Sequence, residues 1–163
     1  MRIYTDASSR GKISGIAYVA TDAKDREIYK KGIVINTGDN NTAELQAVLF
    51  ALEDIKDMEI KHLTIFTDSW YVINAVKNGV RREHEKNIVK KIRSHMAKIN
   101  SSLMWIKGHY RNGTVLSYYN KRADKMSKVV RRQYEKQIKK DKKVFLKQQR
   151  KQRLQHALES NKR

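Results

Sequence analysis

The sequence of 163 residues contains neither cysteine nor proline, and it has only seven glycines. Without cysteine, disulfide bonds, zinc–thiolate clusters and thiol nucleophiles are excluded, so any metal must be bound through oxygen or imidazole nitrogen. Without proline, one of the usual markers of a domain boundary is missing. The sequence therefore points to a chain whose chemistry depends on carboxylate, hydroxyl, amide and histidine side chains.

Long apolar runs are also missing. The longest, such as residues 47–52, are far too short to span a bilayer, and the first residues lack the apolar segment of a signal peptide. We therefore predict a soluble, cytoplasmic protein that makes no use of a membrane. No feature of the sequence indicates an oligomeric interface, which predicts a monomer.

Positive charge is abundant. The chain has 36 Lys and Arg against 17 Asp and Glu, which gives a formal net charge of +19. Such an excess favours nonspecific attraction to polyanions, of which nucleic acid is the commonest in a cell. A solvated, lysine-rich surface is the alternative interpretation. A hydrophobic share of 39% is enough for a core, and the length favours one compact domain with an appendage.

The charge is unevenly spread along the chain. Residues 128–163 hold 14 Lys and Arg but three Asp and Glu, so this segment carries +11 and the first 127 residues carry +8. Apolar residues become sparse in the same segment. We predict a globular domain over residues 1–128 and a basic, helical C-terminal extension over residues 129–163, with a mobile solvated tail as the alternative.

In the first 127 residues the apolar positions recur with a period of 2 residues in some segments and 3.6 residues in others, which predicts a mixed α/β domain. Strands are predicted over residues 2–5, 13–20, 27–35, 63–67 and 103–106. Helices are predicted over residues 41–55, 68–77 and 85–99, and a further helix from about residue 120 into the extension. The first three strands form an antiparallel meander, and a helical crossover allows the fourth to pair in parallel with the first.

Two predicted strands from distant parts of the chain finish alike, with apolar residues followed by Thr-Asp and a small residue, at Asp6 and at Asp68. If the strands are parallel neighbours, the two carboxylates lie side by side at the edge where α/β sheets bind ligands. Adjacent carboxylates resist shared ionisation unless a cation lies between them, which predicts a hard divalent metal. Alternatively, Asp68 or Ser69 caps the following helix.

A third acid, Glu44, falls within the apolar arc of the first predicted helix, together with Val48 and Ile55. This position directs its carboxylate toward the sheet at the first turn of the helix. The alternative is a capping box in which Asn41 is the N-cap and Glu44 reaches back to it.

Two further polar residues follow the last strand. His109 comes after a strand and a glycine, a place where a histidine is usually only a surface residue. Asp124 has Lys128 one helical turn later, which alone indicates a solvated ion pair.

Together these residues belong to five motifs that resemble the ribonuclease H family, specifically its type 1 branch, over about residues 2–128. The motifs occur in the family's order: Tyr-Thr-Asp-Ala-Ser (4–8), Asn-Asn-Thr-Ala-Glu-Leu (40–45), Phe-Thr-Asp-Ser-Trp-Tyr-Val (66–72), Trp-Ile-Lys-Gly-His (105–109) and Asn-Lys-Arg-Ala-Asp (120–124). The resemblance implies a five-stranded mixed sheet flanked by helices. It also implies hydrolysis of the RNA strand of an RNA/DNA hybrid, leaving 5′-phosphate and 3′-hydroxyl ends.

The resemblance also implies roles for individual residues. Asp6, Glu44, Asp68 and Asp124 would hold two Mg²⁺ ions, with Mn²⁺ as an alternative, and Asp6 would bridge both. His109 would assist proton movement or product departure rather than bind metal.

Substrate contacts are implied for four residues, namely Asn40, Asn41, Trp70 and Asn120. Asn41 is expected to read the 2′-hydroxyl groups of the RNA strand. Between Asp68 and His109 the chain is too short for the basic handle with which some members grip the DNA strand, so the extension becomes a candidate for holding nucleic acid. The competing hypothesis is a noncatalytic module of the same fold that binds structured RNA or a ribonucleoprotein through its basic tail.

Overall fold

The computed structural model describes residues 1–108 and 113–160, with side chains described up to residue 153. Within it the chain divides into two compact units, Met1–Arg131 and Arg132–Arg163. The catalytic role predicted for residues 1–128 is not decided by this division and stays a prediction.

The described residues form five strands and four helices. In chain order they are β1 (Arg2–Arg10), β2 (Ile13–Thr21), β3 (Glu27–Ile35), α1 (Asn40–Asp54), β4 (Leu63–Thr67), α2 (Trp70–Asn78), α3 (Glu83–Lys98), β5 (Ser101–Trp105) and α4 (Val115–Ser160). The predicted element types and their order are confirmed.

The strands form one mixed sheet in the order β3-β2-β1-β4-β5. β1 pairs antiparallel with β2, β2 pairs antiparallel with β3, and both β1–β4 and β4–β5 are parallel. A crossover through α1 separates β3 from β4 and places β4 beside β1, as the sequence predicted. The predicted fold class, a five-stranded mixed sheet flanked by helices with a basic C-terminal helix, is confirmed.

One prediction about β1 is wrong. The strand was expected to finish before Asp6, but it continues to Arg10 because β2 pairs with it over its whole length, up to Arg10 opposite Ile13. Its parallel pairing with β4 ends much earlier, at Tyr4 opposite Phe66. Asp6 therefore lies within a strand, at the point where the neighbouring strand stops.

The two faces of the sheet are covered differently. Ile3 and Ile65 point to the larger core, where they meet Leu45 and Leu52 of α1 and Ile92 of α3. In a strand alternate side chains point to opposite faces, so the neighbouring positions of β1 face the other way. This side of the sheet is covered by the first part of α4.

A second cluster joins α4 to that face. Tyr4 stacks on Phe66 and on Tyr119 with ring centroids 5.1 and 5.3 Å apart, and Ala123 is completely buried beside them. Aromatic pairs at such distances contribute beyond their buried area. The packing fixes the N-terminal half of α4 over β1.

The close approach of α4 depends on two strand glycines. A Cβ atom added to Gly15 of β2 would lie 2.1 Å from the carbonyl oxygen of Ser127, and one added to Gly32 of β3 would lie 3.1 Å from a methyl group of Val130. No side chain fits at Gly15 without moving the helix backbone. Glycine is favoured at these positions because they leave little space for a side chain, and not because of the backbone conformation, since neither glycine has a positive φ.

The helix α4 continues without interruption to Ser160, so the predicted helical extension is confirmed. It begins at Val115, five residues earlier than predicted. Of the helices that the structure describes, none combines the length and the apolar character needed to cross a membrane.

Candidate active site

Two of the predicted carboxylates are aligned by the register of the sheet. Tyr4 lies opposite Phe66 in the parallel pairing of β1 with β4, and each is followed two residues later by an aspartate. Side chains two residues apart share a face. Asp6 and Asp68 are thereby brought to the same face, at the carboxyl end of β4.

The third carboxylate comes from α1. The N-cap of this helix is Asp39, whose side chain accepts a hydrogen bond from the amide of Thr42 at 3.1 Å. The alternative capping box with Asn41 as N-cap is therefore wrong. Glu44 is free to turn inward, where it is 5% exposed and accepts a hydrogen bond from the backbone amide of Ala7.

These three residues form one cluster. Asp6, Glu44 and Asp68 each offer a carboxylate oxygen, and the three oxygens lie within 4.8 Å of one another. They line an open cavity of about 520 Å³. The remaining lining residues are small, polar or charged: Ala7, Ser8, Ser9, Asn40, Ser69, Gly108, Asp124 and Lys128.

The cluster perturbs the protonation of its members. Burial raises the pKa of Asp6 to about 8, with smaller contributions from the charges of Asp124 and Asp68, while a hydrogen bond from Ser127 and the charge of Lys128 act in the opposite direction. Burial likewise raises the pKa of Glu44 well above its ordinary value, and Asp6 adds to the effect. The site thus holds more negative charge than it can stabilise alone.

The donor set fits a hard divalent cation. One oxygen of Glu44, Oε2, is buried without a hydrogen-bond partner among the described residues, and it belongs to a cluster made only of oxygen donors. Mg²⁺, Mn²⁺ and Ca²⁺ prefer such ligands. A bound cation would satisfy the unpaired oxygen and remove the repulsion among the three acids.

The fourth predicted acid, Asp124, lines the same cavity from α4 but lies outside the close group of three. Its carboxylate is 2.5 Å from the ammonium group of Lys128, so the ion pair expected from the sequence is present. The ion pair lies at the edge of the acidic site and not on a remote surface, and the metal-binding role of Asp124 stays a prediction. Lys128 supplies a fixed positive charge beside the cluster.

Asp68 is held by two residues from other elements. The side-chain amide of Asn120 donates to Asp68 Oδ2 at 3.1 Å. Gly108 lies so close that an added Cβ atom would be 2.4 Å from the same oxygen. Asn120 is only 3% exposed, and in this structure its side-chain amide contacts Asp68. Its predicted contact with substrate stays a prediction.

Ser127 is a site residue that the sequence analysis missed. Its hydroxyl donates to Asp6 Oδ2 at 2.5 Å, across 121 positions of the chain. The available signal was its position three residues after Asp124 on a predicted helix, which places both on one face. The spacing shows that Ser127 and Asp124 share one face of the helix. It does not show that this face packs against β1, which carries Asp6.

The predicted substrate residues lie around the cavity. Asn40, at the start of α1, is exposed and lines it, whereas Asn41 is half-buried and does not. Trp70 opens α2, directly after the N-cap Ser69, and its ring stacks on that of Trp105 with centroids 4.8 Å apart. Trp70 is 55% exposed, which makes this pair an accessible aromatic surface two residues from Asp68.

The indole N–H of Trp105 donates to the backbone carbonyl of Asp68 at 3.1 Å, which ties the aromatic pair to the acidic site. His109, for which a role in proton movement or product release was predicted, lies outside the described residues.

Several solved structures share this fold. Ribonuclease H1 from the archaeon Halobacterium salinarum is 20% identical, with a TM-score of 0.66 over 79% of this chain and 95% of the other. LC11-RNase H1, isolated from compost by a metagenomic approach, is 25% identical with the same TM-score over 79% and 93%. The same enzyme solved in complex with an RNA/DNA hybrid is 24% identical, with a TM-score of 0.63 over 77% and 91%. Among curated proteins, no match was found.

The sequence model of the RNase H family matches residues 1–132, which include the whole sheet and every carboxylate of the site. The order of the strands and the position of the acidic cluster agree with this match. The chain belongs to the RNase H family.

Proposed function

We propose that this protein is an endoribonuclease that hydrolyses the RNA strand of RNA/DNA hybrids with the help of two divalent metal ions, leaving 5′-phosphate and 3′-hydroxyl ends. The observation that carries the proposal is the cluster of Asp6, Glu44 and Asp68, whose oxygens lie within 4.8 Å of one another. Family membership and the hybrid bound by LC11-RNase H1 support the same substrate. A protein that only bound nucleic acid would gain nothing from a buried cluster that repels phosphate.

Asp6, Glu44 and Asp68, with Asp124 at the edge, are the residues that would hold the metal ions. When bound, Mg²⁺ or Mn²⁺ supplies positive charge that activates water and stabilises the leaving oxygen in such sites. The protein's own contribution is to fix the ligands in advance. Ser127 orients Asp6 and Asn120 orients Asp68, while the missing side chain of Gly108 leaves room for the Asp68 carboxylate.

Lys128 limits the negative charge of the site. Its ion pair with Asp124 places a cation at the rim of the cavity, where the phosphate backbone of a substrate has to enter. A phosphate approaching the cluster therefore meets a positive group as well as the acids. This arrangement assists binding without neutralising the three central carboxylates.

The substrate is proposed to contact Asn40 at the mouth of the cavity and the exposed ring of Trp70. A ring with this exposure offers a stacking or sugar-packing surface, and such contacts are largely independent of base sequence. The 2′-hydroxyl contact of Asn41 and the role of His109 in proton movement or product release remain part of the proposal. So do the cytoplasmic location and the monomeric state.

The proposal is tested by incubating the full-length protein with Mg²⁺ and an RNA/DNA hybrid labelled on the RNA strand. We expect internal cleavage of the RNA that requires the metal and spares the DNA strand and single-stranded RNA. Asp68→Asn should lower the rate at least about 100-fold, because it removes a ligand charge while keeping the size and shape of the side chain.

Asp57→Asn is the matched control, since Asp57 is exposed and lies outside the site, and it should cut at the wild-type rate. Intact RNA after incubation with folded protein, in a sample where another ribonuclease H cuts the same hybrid, would refute the activity. Hybrid binding without cleavage would then favour the noncatalytic binding module.

A further inference from the structure

Residues 132–153 of the C-terminal extension carry their positive charge on one side of the helix. Residues 132–153 contain ten Lys and Arg, and when they are placed on a helix of 3.6 residues per turn all ten fall within an arc of about 180°. We call this arc the basic face. It consists of Arg132, Lys136, Lys139, Lys140, Lys142, Lys143, Lys147, Arg150, Lys151 and Arg153, with Glu135 and Leu146 between them.

The opposite half of the same helix has a different composition. Within residues 132–153 it contains no Lys or Arg, and half of its members are glutamine. We call it the glutamine face. It consists of Gln133, Tyr134, Gln137, Ile138, Asp141, Val144, Phe145, Gln148, Gln149 and Gln152.

The basic face is accessible to solvent. All ten of its Lys and Arg side chains are exposed. Two acids lie within this stretch, Glu135 and Asp141, and the latter accepts a hydrogen bond from Gln137 on the glutamine face.

Grouping these charges is unfavourable for the helix itself. Lys136 and Lys140, Lys139 and Lys143, and Lys143 and Lys147 are pairs of like charge four residues apart, and such pairs destabilise a helix. A helix that needed charge only for solubility would be more stable with its lysines spread around the circumference. The one-sided arrangement therefore indicates a ligand of opposite charge that lies along one side.

The dimensions and the composition favour a nucleic-acid backbone as that ligand. At 1.5 Å per residue the basic face is about 33 Å long, close to the length of one turn of a duplex, about 34 Å. A membrane surface would require an apolar opposite face. The glutamine face, with five glutamines and an aspartate among four apolar residues, is too polar to insert into lipid.

We propose that the basic face binds the phosphate backbone of the RNA/DNA hybrid. This inference rests on the proposed hybrid-cleaving function for the identity of the duplex. It assigns the contact to one side of a helix, and not to the overall charge of the protein.

Two full-length variants test the assignment. The neutralised variant removes four charges from the centre of the basic face, through Lys139→Gln, Lys143→Gln, Lys147→Gln and Arg150→Gln. The redistributed variant combines these changes with Gln137→Lys, Gln148→Lys, Gln149→Lys and Gln152→Lys, so that the net charge stays at +19 while the charge is spread around the helix.

Dissociation constants are measured for a hybrid of about 30 base pairs in EDTA, which prevents cleavage, between about 50 and 200 mM salt. We expect both variants to bind at least about tenfold more weakly than wild type and to show a flatter salt dependence, because each lost phosphate contact reduces the slope of log K against log salt by about 0.9. Circular dichroism confirms that both variants keep the helix.

Wild-type affinity in the neutralised variant would overturn the proposal. The proposal would also be overturned if the redistributed variant, but not the neutralised one, bound the hybrid with wild-type affinity. Net charge would then be sufficient for binding, whichever side of the helix carried it. If the wild-type protein bound phosphatidylserine vesicles but not the hybrid, the basic face would be assigned to membrane binding instead.

Cleavage in Mg²⁺ separates this proposal from the proposed activity. If the neutralised variant cuts the hybrid with a raised KM and an unchanged kcat, both proposals are supported. If neither wild type nor variants cut the hybrid but the difference in binding persists, the activity fails while the basic face stands as a nucleic-acid site.

Discussion

At the scale of single residues, Asp6 is the carboxylate on which the site's dependence on pH is concentrated. It is 5% exposed, its acidic neighbours are Glu44, Asp68 and Asp124, and burial raises its pKa to about 8 from an ordinary value of 3.8. An acid with a raised pKa holds its proton more tightly in the folded chain than in the unfolded chain. Its contribution to the free energy of unfolding is therefore fully present below about pH 4 and is lost as the pH rises through about 8.

We predict that the metal-free protein loses stability between about pH 4 and pH 8, by an amount on the order of a few kcal/mol. Mg²⁺ should raise the unfolding temperature strongly at pH 8.5 and weakly at pH 5.5, because the cation binds the ionised carboxylates and competes with protons. Thermal unfolding in EDTA and in Mg²⁺ across this range measures both effects.

Asp6→Asn removes the charge but keeps an oxygen that can accept the hydrogen bond from Ser127. In EDTA at pH 8.5 it should raise the unfolding temperature by about 5 °C or more, and it should abolish the stabilisation by Mg²⁺. Asp57→Asn, at an exposed position, is the control and should change neither. An unfolding temperature that is independent of pH, with Mg²⁺ equally stabilising at both pH values, would contradict the buried acidic site.

At the scale of secondary-structure elements, the decisive contact is between α4 and the sheet. Gly15 brings the carbonyl of Ser127 within 2.1 Å of where a Cβ atom would lie, and the hydroxyl of the same serine holds Asp6. The spacing between helix and sheet and the orientation of the Asp6 carboxylate thus depend on one glycine. Gly32 makes a similar but looser contact with the side chain of Val130.

Gly15→Ala should therefore lower the unfolding temperature by about 5–10 °C, since the added methyl group meets backbone that cannot turn away and overpacking costs about 1–3 kcal/mol. It should also weaken Mg²⁺ binding, because Ser127 shifts with the helix. Calorimetric unfolding and metal titration measure the two effects.

Gly32→Ala is the matched comparison. Its methyl group would meet a flexible side chain at 3.1 Å, and the loss of a glycine also restricts the unfolded chain, so the change should be small. Equal stability of the two variants would show that the approach of α4 at Gly15 is not as close as described.

At the scale of the whole molecule, the first compact unit extends to Arg131, and the predicted division of roles at residue 128 stays a prediction. The three residues between these positions include two that pack on the sheet. Val130 lies against Gly15 and Gly32, while Arg131 is 7% exposed and donates from Nε to the hydroxyl of Ser8 at 3.2 Å. The last turn of the first unit is thus part of its packing.

Two truncations separate stability from nucleic-acid binding. Deleting residues 132–163 should leave the unfolding temperature within a few degrees of wild type, whereas deleting residues 129–163 should lower it clearly, because Val130 and Arg131 are lost. Both truncations should weaken hybrid binding and flatten its salt dependence.

Thermal unfolding and binding of the same hybrid are the measurements. Equal stability of the two truncated proteins would contradict the role of Val130 and Arg131 in packing. Unchanged affinity in the shorter deletion would show that the extension does not hold nucleic acid.

Much of this architecture was determined by sequence patterns that act over a few residues. The alternation of periodicity predicted the order of strands and helices, and matched Thr-Asp motifs predicted that Asp6 and Asp68 would meet. Glu44 was placed on the buried face of its helix by its position relative to Val48 and Ile55. Such patterns can be recognised in a sequence because backbone hydrogen bonding and side-chain direction repeat with a fixed period.

Local patterns could not decide which residue caps a helix or how far a strand runs. Asp39 and not Asn41 caps α1, because the chain enters the helix one residue earlier than the pattern indicated. β1 continues past Asp6 because a partner strand is available to pair with it. Both outcomes depend on neighbours that a short window of sequence does not contain.

The sequence by itself determined the chemistry of this protein: oxygen ligands for a hard cation, a basic extension, and the motifs of its family. Only the tertiary structure decided how the site is held together, through Ser127 on Asp6, Asn120 and Gly108 on Asp68, and the close packing of α4 on Gly15. The physical reason is distance along the chain. Asp6 and Ser127 are 121 positions apart, and their contact exists only because the sheet and α4 are packed face to face.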